Sequence, residues 1–383
     1  MINVSQPRRV HRLRRRTLLA SLGATAIGLG LLGLGATHAG SAVEWRRRFT
    51  AAVAQGCSPD GSCSVYTYGR AFHYKGRRLA SYGATMYPYF QLDGQTLRGS
   101  AWVHQEFTHY IDSTLATAAQ AGLNTIRVTD YLEGSSDPYD AVVWSNMDHL
   151  LSQALLWGMY VILDFSSYRN LLHTQQKFPY DPDSWAGFLH YAGSRYAHNP
   201  AILNYSIAGE PAAPKGRDPF RPTTTQLTDF YRGASMQLRL ADQGRHLISS
   251  GGLLYLDWDS GIDWRAIFSL PAIDIAAIHV YSQGDRDTTM PNVSSWAGAH
   301  GKVFQIEEFG FLQSMGDAAR AAAFQDIYTR GKNYQAGGIA FWNLGPELSA
   351  GSHQVGPDTP AVWKTVIQNS PTFGQHKSHG APA

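Results

Sequence analysis

Sulfur chemistry is nearly absent from this chain. Among 383 residues there are two cysteines, Cys57 and Cys63, both in the segment GCSPDGSC. No further ligands stand near them, so a cysteine metal site is excluded. A close pair with Pro-Asp-Gly between its members is expected to close a small disulfide in an oxidising compartment, stapling an N-terminal flap. No repeat of solenoid length occurs. No G-x-G-x-x-G loop follows an apolar run, which counts against a doubly wound nucleotide-binding sheet. No H-x-H or H-E-x-x-H pattern stands where apolar runs end, so a metallohydrolase is not indicated and no metal or other cofactor is expected.

Basic residues are also scarce outside one segment. The formal charge is +3, but residues 1–39 hold six arginines (Arg8, Arg9, Arg12, Arg14, Arg15 and Arg16) and no acid. Without those six, 26 basic residues face 29 acidic ones, a balance of −3. A mildly acidic body lacks the basic face that nucleic acids need. The arginines precede TLLASLGATAIGLGLLGLGATHA, an apolar stretch ending in small residues. That order reads as a secretory signal over residues 1–39, with RRTLL resembling a twin-arginine motif, or as an uncleaved membrane anchor. Either reading places the remainder outside the cytoplasm, secreted or held at the membrane. Residues 40–70 read as a leader, 71–369 as the folded body and 370–383 as a polar, loose tail.

What the chain does have is aromatic and apolar content: 44% hydrophobic residues, 10 Trp and 20 Tyr. Eight short apolar runs punctuate the body: 80–87, 124–130, 160–166, 201–207, 246–252, 273–281, 302–310 and 337–345. Amphipathic stretches lie between several of them, at 111–122, 148–158, 183–197, 225–242 and 317–331. Eight strand candidates with crossover helices predict a (β/α)8 TIM barrel in a single catalytic domain, and continuous apolar strands suit a parallel sheet buried on both faces. In such a barrel the active site lies where the strands end. The polar residues at those ends are Arg127, Asp130, Asp164, Glu210, His279, Tyr281, Glu307, Glu308, Trp342 and Asn343.

Glu210 ends the fourth run and Glu308 the seventh, so two carboxylates can converge across the barrel mouth. Glycoside hydrolysis needs such a pair, one carboxylic acid to protonate the leaving oxygen and one carboxylate to attack the anomeric carbon. The two need different environments, with the acid's pKa raised. Arg127 could hold the attacking carboxylate charged, Tyr281 could donate to it, His279 could orient a glutamate, and Trp342 could form a floor under a sugar ring. Side chains alternate along a strand, so Glu307 is expected to point away from Glu308 as a structural partner. Tyr87, Tyr89, Phe90, Trp144 and Tyr168 follow strands and could line sugar subsites.

Four segments carry a family resemblance: AHNPAILNYSIAGEP, LPAIDIAAIHVYS, VFQIEEFGF and GGIAFWNLG. In this order and spacing they resemble the fourth, sixth, seventh and eighth strands of clan A retaining glycoside hydrolases, in the cellulase-like family 5 and its β-mannanase branch. The resemblance spans most of residues 80–345. It implies Glu210 as acid/base, Glu308 as nucleophile, and Arg127, His279, Tyr281 and Trp342 as substrate-binding or supporting residues. It also implies a monomer acting on a β-linked polysaccharide or oligosaccharide, β-1,4-mannan first and β-glucan next. Two departures stand out. The third strand ends ILDFSSY, without the histidine common in the family. Gly209 stands where the family has an asparagine that bonds the sugar 2-hydroxyl. The glycine implies a slower enzyme, a replacement group in the gap, an altered sugar, or a barrel that binds glycan without cutting it.

Overall fold

The computed structural model describes residues 64–373, apart from 87–88, 93–94, 99, 255, 257–258 and 346–351. The signal-like segment, the Cys57–Cys63 pair and residues beyond 373 lie outside the described residues.

A small antiparallel sheet comes first: β1 (Tyr66–Tyr68), β2 (Ala71–Tyr74) and β3 (Arg77–Leu79). Its first strand uses residues expected to belong to the leader. All eight apolar runs then form strands. They are β4 (Ser81–Met86), β7 (Thr125–Val128), β8 (Tyr160–Asp164), β9 (Ile202–Ser206), β10 (Leu247–Ser249), β11 (Ile275–Val280), β12 (Val303–Phe309) and β13 (Gly338–Leu344). A hairpin of β5 (Tyr89–Leu92) and β6 (Gln95–Arg98) intervenes after the first barrel strand. The eight long-range strands pair in parallel and close in the order β10-β11-β12-β13-β4-β7-β8-β9. The expected (β/α)8 barrel is therefore the observed fold.

The helices around it are α1 (Phe107–Gln120), α2 (Ala141–Leu156), α3 (Ser166–Thr174), α4 (Pro182–Tyr196), α5 (Thr224–Ala241), α6 (Trp264–Phe268), α7 (Met290–Ala299), α8 (Asp317–Asn333) and α9 (Pro360–Phe373). The last helix continues past Ser370, beyond the expected start of the tail. Helix α5 shows why these segments coil. The Thr223 side chain accepts from the Gln226 N–H at 3.2 Å and the Gln226 side chain accepts from the Thr223 N–H at 2.9 Å, a reciprocal cap for the first turn. Leu227, Phe230, Tyr231, Ala234 and Leu238 then recur at helical spacing and are all buried. From this face the Tyr231 hydroxyl donates to the Ala208 carbonyl at 2.6 Å, tying α5 to the chain just before Gly209.

The barrel interior changes character along its axis. At the N-terminal end, Tyr160, Ile162, Leu203, Leu247, Ile275, Ala277 and Val303 form one apolar cluster with Val65, Phe72 and Leu79 of the small sheet and its approach. The sheet plugs that end. Polar pairs adjoin it, with the Ser81 hydroxyl donating to Thr125 Oγ1 at 2.9 Å where β4 and β7 begin and Asn204 donating to Ser206 Oγ at 3.2 Å on β9. Charged groups occupy the C-terminal end. Alternation sets this order: on β11, Ile275, Ala277 and His279 face inward in sequence, while Ala276, Ile278 and Val280 face the helices.

Candidate active site

Arg127, inward on β7 and 2% exposed, organises the mouth of the barrel. Its Nη2 donates to Asp164 Oδ2 at 2.5 Å and its Nη1 to Glu308 Oε2 at 2.5 Å and to Thr85 Oγ1 at 3.2 Å. Its Nε faces Glu307 Oε1 at 3.4 Å. Burial alone would lower the guanidinium pKa, but the charges of Asp164, Glu308 and Glu307 outweigh it and hold the group charged.

Glu308 therefore takes an ion pair from Arg127 on one oxygen, and the Tyr281 hydroxyl donates to the other. The expectation that Glu307 points away from Glu308 is not met: both face Arg127. The register between β11 and β12 slips here, with Ile278 opposite Ile306 but His279 opposite Glu308. This bulge places an extra residue on β12 and brings two consecutive carboxylates to one side, as an irregular strand can and a regular one cannot. Glu307 is fully buried and accepts from the Ser249 hydroxyl at 3.1 Å. Burial pushes its carboxyl up, against the pull of Arg127.

Glu210 sits at the lip, its side chain 41% exposed, with Oε1 turned in to accept from His279 Nδ1 at 2.8 Å. His279 also lies 3.7 Å from Glu308 Oε1. The ring stands over Gly252, where a Cβ would fall 1.8 Å from Cδ2 and 2.1 Å from Nε2, so only glycine admits the imidazole at this position. Burial acts to lower the His279 pKa, but Glu308 and the bond to Glu210 raise it overall. For Glu210 burial acts upward, yet the bond and charge of His279, with Arg169 and Arg127, bring it below the ordinary carboxylate value. The raised pKa expected of an acid at Glu210 is thus not found, because the adjacent imidazole favours the charged form of the carboxyl.

Glu210, His279 and Glu308 each offer a ligand atom within 4.8 Å of the others, the one grouping among the described residues able to hold a cation. They line a cavity of about 440 Å³ together with Arg127, Tyr281 and Trp342, so all six singled-out residues meet in one place. Gly209 leaves room for a Cβ, which would stand at ordinary contact distance, 3.4 Å from Ser166 Oγ and 3.5 Å from Asp164 Oδ2. The Gly209 N–H donates to Ser166 Oγ at 2.8 Å, and Ser166 in turn donates to Asp164 Oδ1 at 2.6 Å. Ser166, Arg169 and Asn170 also line the cavity and were not singled out from the sequence. They start α3 directly after β8, and the polar SSYRN run at a strand end was the available signal. Trp144 and Tyr168, by contrast, do not line a sugar subsite. They are 1% and 8% exposed and pack inside helices, Tyr168 stacking on Phe188 at 4.2 Å. Tyr87 and the side chains of Tyr89 and Phe90 lie outside the described residues.

A closed parallel barrel with carboxylates at its C-terminal mouth defines a (β/α)8 protein whose candidate site lies where barrel enzymes carry their chemistry. The family model described as cellulase (glycosyl hydrolase family 5) matches residues 82–347, and the chain belongs to that family and is a glycoside hydrolase. Among relatives, mannan endo-1,4-beta-mannosidase A of Podospora anserina is 22% identical over 289 residues, covering 63% of this chain and 75% of that protein. The crystal structure of the endo-1,4-beta-mannanase from Rhizomucor miehei superposes with a TM-score of 0.65 at 17% identity, over 82% of this chain and 100% of the other. The endo-beta-1,4-mannanase from Thermotoga petrophila gives 0.60 at 14% identity, over 80% and 79%. At these identities the structural likeness speaks for the fold.

Proposed function

We propose that this protein is an exported retaining glycosidase that cleaves β-linked polysaccharide or oligosaccharide, β-1,4-mannan in the first place, with Glu210 as acid/base and Glu308 as nucleophile. The observation that carries the reading is the approach of the two carboxyl groups to within 4.8 Å, in unlike surroundings. Retaining glycosidases hold this pair about 5–5.5 Å apart, and inverting ones leave room for a water. The mannan preference draws on the activities named for the relatives. Export draws on the arginine-rich, apolar N-terminus, and the catalytic unit is taken as residues 71–369.

In the first step Glu308 attacks the anomeric carbon while a proton reaches the leaving oxygen. The C–O bond breaks and an ester to Glu308 forms. Arg127 and Tyr281 keep the Glu308 oxygens oriented for that attack. The proton comes from the Glu210–His279 pair, whose 2.8 Å bond lets the imidazole proton pass to Glu210 as the leaving oxygen gains charge. In the second step Glu210 takes a proton from water, which attacks the same carbon and breaks the ester. Because the pair must carry one proton, activity falls as pH rises through the raised pKa of His279.

The test is reducing-sugar release from β-mannan, glucomannan, xylan and β-glucan by the wild type and Glu308→Gln in parallel. Release from mannan by the wild type alone supports the reading. Release from β-glucan only moves the substrate, and binding without release from any glycan identifies a barrel that holds sugar and does not cut it.

A further inference from the structure

Glu210 adopts a backbone conformation that its neighbours disfavour. Its φ is +49°, in the left-handed region that a glutamate rarely enters. The next residue is Pro211, whose ring pushes the preceding residue toward extended conformations. Gly209, before it, has no side chain with which to brace the turn. Such a conformation persists only where the surroundings over-determine it.

One side chain supplies that bracing from outside the strand. Arg169 Nη1 donates to the Gly209 carbonyl and, at 2.8 Å, to the Glu210 carbonyl, so a single guanidinium grips both peptide oxygens flanking the turn. The Glu210 N–H is separately held by the Gly252 carbonyl at 2.9 Å. Arg169 is itself oriented. Its Nε and Nη2 donate to Asn170 Oδ1 at 3.2 and 2.9 Å, and Asn170 Nδ2 donates to Asp130 Oδ1 at 3.1 Å. Asp130 also has a left-handed φ, of +56°, at the end of β7. A chain of polar contacts thus runs from the second barrel strand through α3 to the residue ending the fourth. Arg169 and Asn170 line two cavities, the main one and a second of about 220 Å³ that is bounded by Glu210 but not by Glu308. They form the wall on the side of Glu210 remote from the nucleophile.

We propose that Arg169, oriented by Asn170 and Asp130, is a positioning residue that clamps the Gly209–Glu210 peptide so that the Glu210 carboxyl meets the leaving oxygen. This rests on the reading of Glu210 as the acid. A clamp of this kind acts through the proton transfers of Glu210, which in kcat/KM are read as protonation of the leaving group, because the nucleophile on β12 is held by other residues.

The experiment compares kcat/KM for phenyl and 2,4-dinitrophenyl β-mannobiosides in the full chain, with Arg169→Met, Asn170→Ala and Glu210→Gln. A dinitrophenolate departs without protonation and a phenolate needs it. Arg169→Met is expected to lose about tenfold to hundredfold on the phenyl substrate and less than about threefold on the dinitrophenyl one. Asn170→Ala, which leaves the arginine in place but unguided, is expected to lose in the same direction by less, and serves if Arg169→Met fails to fold. Equal losses on both substrates, or no loss on either, overturn the clamp. Glu210→Gln separates the two readings. If it lacks the leaving-group dependence, the acid assignment fails and the clamp fails with it. If it shows the dependence and neither clamp variant does, the clamp alone is wrong.

Discussion

The two ends of the barrel are built from the same eight strands and share almost nothing chemically. At the N-terminal end, Phe72 and Leu79 of the small sheet close on Tyr160, Ile162, Leu203, Leu247 and Val303 in a buried apolar cluster. At the C-terminal end, Asp164, Glu307 and Glu308 crowd one arginine, with Glu210 and His279 beside them. Burial stabilises the first region because it removes apolar surface from water. Burial strains the second, where each charge needs a partner and one carboxyl is pushed toward holding a proton. The lesson is a division of labour along each strand, with stability at one end and reactivity at the other.

Breaking the reactive end alone should give the largest effect. Glu308→Gln keeps shape and removes the attacking charge, so turnover should fall at least about 10⁴-fold while thermal unfolding shows the fold intact. A parallel collapse of the melting temperature would show that the two ends are not separable. Breaking the plug should do the reverse. Phe72 is fully buried, and Phe72→Ala should cost about 3–5 kcal/mol of stability in denaturant titration, with kcat unchanged at temperatures where the protein stays folded.

Finer cuts sharpen the contrast within the reactive end. Gly252→Ala would drive a methyl into the His279 ring, since its Cβ falls 1.8 Å from Cδ2. The bond to Glu210 should break, with a loss of about 10²-fold in kcat and a displaced basic limb of the pH–rate profile. An unmoved basic limb would sever the imidazole from the proton transfer.

The smallest effect concerns Asp130, whose carboxyl is pushed up to about 6 by burial and then by the charges of Glu133 and Asp164. Between the ordinary aspartate value near 3.8 and 6 the folded protein holds a proton that the unfolded chain releases. Stability is therefore greatest below the ordinary value, declines as pH rises through the folded pKa, and stays reduced above it. Asp130→Asn should raise stability by about 1–2 kcal/mol at pH 8, after allowance for partial exposure, and change nothing below pH 4. A gain of equal size at both pH values would contradict that account.

Much of this architecture is legible in the amino-acid sequence. Each of the eight strands grows from an apolar run, because a parallel barrel buries both strand faces and leaves uninterrupted apolar sequence as its mark. The six candidate side chains meet in one cavity for the related reason that strand ends share one mouth. Less legible are short segments whose pattern is not periodic. The run from 66 to 79 reads partly as a leader and proves to be the plug, since strands of three or four residues leave too little alternation to see. Helix α3 is hidden in SSYRN for the same reason.

The chain by itself determined the barrel, the order of its strands and the identity of the groups at their ends. These follow from apolar periodicity and from the position of each polar residue relative to a run. Tertiary structure decided how those groups face one another. The slip between Ile278 and His279 turns Glu307 and Glu308 to the same arginine, the bare Gly252 makes room for the imidazole, and Arg169 reaches from a helix to the backbone of Glu210. Register and reach between segments far apart in sequence depend on how strands pair and helices pack.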